Sequence, residues 1–119
     1  MAKMSPTQRT LADLRSHGAV VGVVEHWNQF AKRRVDLFGF IDIVALIGPN
    51  TIGIQCTSGD NHAARRTKIL AEPKALAWLK AGNLIEVHSW SKLGARGERK
   101  VWVCRKEEIV AEDFQGAKA

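Results

Sequence analysis

Asp42 is the residue with the most chemistry to account for. It sits among Phe40, Ile41, Ile43 and Val44, in a run whose β-branched and aromatic content reads as a strand. Aspartate is depleted in strands and costly to bury alone, so a carboxylate here needs a partner or a task. The run 37–47 and a second apolar run, 52–56, are separated by Gly48-Pro49-Asn50, which predicts a hairpin. The second run has its own polar intruder, Gln55, between Ile54 and Cys56. Alternation puts Asp36, Phe38, Phe40, Asp42 and Val44 on one strand face, and Gln55 with Thr57 on one face of the next. With Ile47–Asn50 as the connection, Leu46 pairs with Thr51 and Asp42 lies opposite Gln55, their Cβ atoms roughly 5 Å apart. A connection one residue shorter would send the two side chains to opposite faces.

Asp42, Gln55 and Thr57 so arranged resemble the PD-(D/E)XK nuclease superfamily, and within it the Holliday-junction-resolvase-like and VRR-NUC branches. The family pattern is an Asp on one strand, then Glu or Gln, any residue, and Lys on the next. Asp42 matches the Asp and Gln55 the Glu/Gln position, while Thr57 stands where the lysine is expected and Ile41 replaces a preceding proline. Some members supply the lysine from the following helix, and Lys68 is its counterpart here. The resemblance implies an α/β single domain with a central mixed sheet flanked by helices, in the order α-β-β-β-α-β-β, restriction-endonuclease-like. It also implies a divalent-metal-dependent endonuclease hydrolysing DNA phosphodiester bonds, with branched structures among its substrates. Mg²⁺ or Mn²⁺ would be held by Asp42, Gln55 and the Cys56 carbonyl, with catalytic roles for Asp42, Gln55, Thr57 and Lys68.

Such hydrolysis needs hard oxygen ligands, an activated water and positive charge near the developing phosphorane. Gln55 offers a neutral amide where most relatives have a carboxylate, and Asp36 or Glu25 would restore the missing charge. A threonine hydroxyl supplies no cation, so Lys68 or Arg65 would have to. The alternative is a nuclease-fold domain, decayed at positions 55 and 57, that binds nucleic acid without cutting. Whether Lys68 reaches the Asp42–Gln55 face separates the two readings.

The elements that must position these residues follow from local signals. Ser5, Pro6 and Gln8 form a capping box with proline at the first helical position, opening a helix over 5–17 that Gly18 ends. Its only acid is Asp13, where relatives often carry a metal-binding glutamate. Residues 19–27 read as a strand ending near Glu25, which is either solvated or turned toward the site. Ser58–Asn61 leads into a helix over 62–71, on which Asn61, Arg65 and Lys68 share a face. That face either overhangs the site or meets solvent. Pro73 starts a second helical piece, 73–81, and strands follow at 84–90 and 101–104. The first three strands should form an antiparallel meander.

The chain of 119 residues, 45% hydrophobic and 25% charged, suits one soluble domain spanning 1–119, with 1–4 and about 107–119 frayed. A net charge of +6 and a pI near 9.8 favour a polyanionic partner, here DNA. Lys32, Arg33, Arg34, Arg65, Arg66, Lys92, Arg96, Arg99 and Lys100 are the candidate phosphate contacts. No apolar run is long enough for a membrane span, and no apolar leader is present. A cytoplasmic location is therefore expected, with a homodimer as the assembly to test. Cys56 and Cys104 read as reduced core thiols. The four histidines lack zinc-site spacing, no phosphate-binding glycine loop occurs, and the four tryptophans read as core before base-stacking platforms.

Overall fold

The structure, a computed structural model, describes residues 4–118. The fraying expected at 1–3 and at 119 lies outside the described residues. Helix α1 (Pro6–Ser16) opens as its sequence dictates: Ser5 Oγ accepts from the Gln8 N–H at 3.1 Å, and Gln8 Oε1 accepts from the Ser5 N–H at 2.8 Å. Strand β1 (Val20–Val23) follows, then a separate hairpin of β2 (His26–Asn28) and β3 (Arg33–Val35), then β4 (Ile43–Ile47) and β5 (Asn50–Ser58). Helices α2 (His62–Leu70) and α3 (Pro73–Lys80) precede β6 (Leu84–Leu93) and β7 (Val101–Ile109), and a 3-10 segment spans Ala111–Lys118.

Five strands form one mixed sheet in the order β1-β4-β5-β6-β7, while β2 and β3 pair only with each other. β1, β4 and β5 are the expected antiparallel meander. β6 lies parallel to β5, as the crossover through α2 and α3 requires, and β7 returns antiparallel.

Alternation along β5 divides the core. Ile52, Ile54 and Cys56 pack with Leu14 of α1 on one face. Ile41, Ile69 of α2, Ala75 of α3, Ile85, Val87, Ile109 and Phe114 fill the other. Gly53 lies on this second side because a Cβ there would sit 2.9 Å from Ile41 Cδ1 and 3.1 Å from Trp78 Nε1. That close approach locks the segment before β4 against α3.

Three expectations are corrected. The apolar run 37–47 is a strand only from Ile43; residues 37–41 form a tight loop closed by an isolated Leu37–Ile41 bridge, with Phe38 at φ +54° and Gly39 at +83°. Strict alternation therefore does not reach back to Asp36 or Phe38. The run 19–27 breaks after Val23, because its end belongs to the separate β2–β3 hairpin. Residues 107–114 are held rather than frayed: Ile109 and Phe114 are buried, and Glu107 and Asp113 bind Arg66. A polar composition hid these two apolar anchors. Tryptophan packing is mixed, with Trp78 and Trp90 bonded to Leu84 O and Thr10 Oγ1, whereas Trp27 and Trp102 are exposed.

Candidate metal centre

The β4–β5 hairpin places the first two site residues. Its loop is Gly48-Pro49, with Gly48 at φ +55° as a two-residue hairpin favours. Ile47 pairs with Asn50 and Leu46 with Thr51, so the register is the expected one although the loop is shorter. Continued by the Asp42 N–H to Ile54 O bond of 2.9 Å, it sets Asp42 beside Gln55. Gln55 Nε2 donates to Asp42 Oδ2 at 2.8 Å and to Asp36 Oδ2 at 3.5 Å. The Cys56 N–H donates to the same Asp42 oxygen at 2.8 Å. In extended chain a residue's N–H and C=O share a side, so the Cys56 carbonyl is directed the same way.

Two further acids converge on this point. Carboxylate oxygens of Glu25, Asp36 and Asp42 all lie within 4.8 Å of one another. Glu25 arrives from the end of β1 and Asp36 from the end of β3, so the inserted hairpin delivers both. Lys68 Nζ stands 3.6 Å from Asp36 Oδ2, and Arg34 Nη1 is 3.3 Å from Glu25 Oε1. Of the two readings left open for the α2 face, Lys68 and Arg65 follow the one that overhangs the site. Both line the cleft of about 430 Å³ that also holds Arg33, Arg34, Asp36, Asp42 and Gln55.

The electrostatics show a crowded carboxylate pair. Burial, then a hydrogen bond with Asp36, pushes the Asp42 carboxyl up to about 8 against the lowering effect of the Cys56 N–H. Burial would raise Asp36 as well, but the bond from Asp42 and the charge of Lys68 hold it below its ordinary value. One proton is thus shared by two acids, as like charges in contact require. Gln55 is buried, yet its Oε1 has no hydrogen-bond partner among the described residues. The carboxylates of Glu25, Asp36 and Asp42, with the Gln55 amide beside them, form a set of groups that fits a hard divalent cation.

Other expected site residues fall elsewhere. Thr57 is buried and does not line the cleft, whereas Lys68 of α2 does. Cys56 offers only its backbone, since its side chain packs toward α1 and burial pushes the thiol up to about 12. Arg66 lies outside the cleft lining, its guanidinium held by Glu107 and Asp113 at 2.8 and 3.0 Å. Lys32 is exposed in the hairpin turn, and Lys92, Arg96, Arg99 and Lys100 are exposed around the β6–β7 connection, outside the cleft lining. Asp13 pairs with Lys106 at 2.7 Å. Sequence reasoning missed Thr7, Val35 and Gly39 in the lining; no local signal marks them, since topology alone brings α1, the end of β3 and the 37–41 loop to the cleft.

Compared with family models, curated proteins and solved structures, the chain matches none.

Proposed function

We propose that this protein is a divalent-metal-dependent endonuclease acting on DNA, built on a restriction-endonuclease-like fold. One observation carries the reading: three carboxylates, an unpartnered buried amide oxygen and Lys68 meet in a single cleft rimmed by arginines. Native proteins leave few buried polar groups unpaired, so the orphaned Gln55 oxygen at the carboxylate cluster supports a ligating role. The mixed sheet, with a parallel β5–β6 pair reached through α2 and α3, is consistent with the fold assignment.

Asp42, Asp36 and Glu25 would hold Mg²⁺ or Mn²⁺, with Gln55 Oε1 and the Cys56 carbonyl as neutral donors. When bound, the cation supplies Lewis-acid polarisation of a phosphoryl oxygen and a nucleophile at neutral pH. The Asp42–Asp36 pair would have to give up its shared proton to hold a cation, since metal ligands bind deprotonated. A half-turn of the Gln55 amide would offer Oε1 where Nε2 now donates to the two carboxylates. Lys68 stands where charge develops on the phosphoryl group, the role Thr57 cannot fill. Arg33, Arg34 and Arg65 position the backbone through phosphate contacts, which carry no sequence preference.

The second reading, binding without cutting, draws on Gln55 and Thr57 replacing a carboxylate and a lysine. The convergence of Asp36, Glu25 and Lys68 favours the first. Incubation of linear, nicked and branched DNA with Mg²⁺ or Mn²⁺ tests it. Metal-dependent products that vanish in Asp42→Ala support cleavage; binding with no product under either metal supports the second reading.

A further inference from the structure

The β2–β3 hairpin (residues 26–35) stands apart from the main sheet and is inserted between β1 and β4. At its tip Phe30 is 99% exposed. The loop that presents it is ordered, because Asn28 Oδ1 accepts from the N–H groups of Phe30 and Ala31, both at 2.9 Å. A phenyl ring held outward in this way adds nothing to the core. Trp27, also exposed, lies directly across the hairpin from Arg34. Lys32, Arg33 and Arg34 follow these aromatics as one consecutive run, and the hairpin's two roots bring Glu25, Arg34 and Asp36 to the carboxylate cleft. The exposed ring is therefore continuous with the site through a strip of cations.

We infer that this hairpin is a wedge for duplex DNA, with Phe30 entering the base stack while Lys32, Arg33 and Arg34 hold the flanking phosphates. The partner must offer negative charge outside and apolar π faces within reach, which is the chemistry of a stacked nucleic acid. Apolar wedges unstack a base step at an energetic cost, and that cost is smallest where stacking is already interrupted. The substrate class favoured by this hairpin is a duplex with an interrupted stack, such as a single-nucleotide bulge, over an intact duplex. The inference takes its DNA from the functional reading of the cleft, but does not need the cleft to cut.

The test is binding in EDTA to an intact and a bulged duplex carrying 2-aminopurine beside the bulge, using wild type, Phe30→Ala and Phe30→Trp. Wild type should bind the bulged duplex about tenfold tighter and change the 2-aminopurine fluorescence. Phe30→Ala should abolish both the preference and the signal, and Phe30→Trp should keep them. Equal preference in wild type and Phe30→Ala overturns the wedge and leaves the nuclease reading in place. Binding to phosphatidylserine vesicles that depends on Phe30, with no preference between duplexes, assigns the hairpin to a lipid surface and overturns it too. No DNA binding at all overturns both readings, whereas a Phe30-dependent preference in a protein that never cuts upholds the wedge and removes only the nuclease.

Discussion

Lys68 Nζ lies 3.6 Å from Asp36 Oδ2, on the helix that follows the strand bearing Gln55. A cation thus reaches the carboxylates from α2, although Thr57 occupies the strand position where a lysine would be expected. Half exposed and paired only with Asp36 among the described residues, the ammonium remains available to a phosphoryl oxygen.

Lys68→Ala should therefore reduce the single-turnover cleavage rate about a hundredfold, the usual effect of removing one transition-state charge donor. DNA affinity should change far less, because one exposed charge among several is lost. Measuring rate and affinity on the same duplex separates the two effects.

The shared proton makes stability depend on pH. The unfolded chain releases the Asp42 proton near 3.8, whereas the metal-free native protein keeps it up to about 8. Between these values the native state binds more protons, so this contribution is complete below the lower value and is lost as pH rises through the upper one. Asp36, shifted downward, contributes in the opposite sense only below the ordinary carboxylate range. The urea midpoint in EDTA should therefore fall from about pH 5 to about pH 8 more steeply in wild type than in Asp42→Asn. Mn²⁺ must displace that proton, so the stabilisation it gives should grow over the same window.

Gln55→Glu adds a carboxylate where the amide oxygen now lacks a partner. The concentration of Mg²⁺ needed for half-maximal cleavage should fall about tenfold, since ligand charge tunes cation affinity over decades. Without metal, the same variant should melt below wild type, because another acid joins an already crowded cluster.

Arg66 and Arg34 make a sharper pair of substitutions than their shared charge suggests. Arg66 joins α2 to β7 and the C-terminal segment through Glu107 and Asp113. Arg66→Ala should cost about 1 kcal/mol, a figure already reduced for solvent screening, and leave the salt dependence of DNA binding unchanged. Arg33→Glu with Arg34→Glu should leave stability near wild type and flatten the log–log salt slope by about 0.9 for each phosphate no longer neutralised.

What the sequence made legible was the pairing of Asp42 with Gln55. Any even-numbered connection centred between Gly48 and Pro49 gives that register, so a loop shorter by one residue at each end leaves the pairing intact. Lys68 and Arg65 were legible because helical spacing defines a face, and the same geometry turns Arg66 away toward Glu107. The path of 37–41 was not legible: an unbroken apolar run reads as strand, yet Phe40 and Ile41 are buried in a loop, where Ile41 lies close against Gly53. Glu25 was visible only as a choice between solvent and site, because the hairpin that turns it inward is set by tertiary placement. The buried ends of the C-terminal segment, Ile109 and Phe114, were hidden by polar neighbours.

The most direct measurement is single-turnover cleavage of a labelled duplex with Mg²⁺ or Mn²⁺, comparing wild type, Asp42→Ala and the double variant Gln55→Glu with Thr57→Lys. Wild type should cut only with metal, Asp42→Ala should bind the duplex without cutting it, and the double variant should cut at lower metal concentration. If wild type binds the duplex but never cuts it, and the double variant does, the cleft is a binding site and the nuclease assignment is wrong.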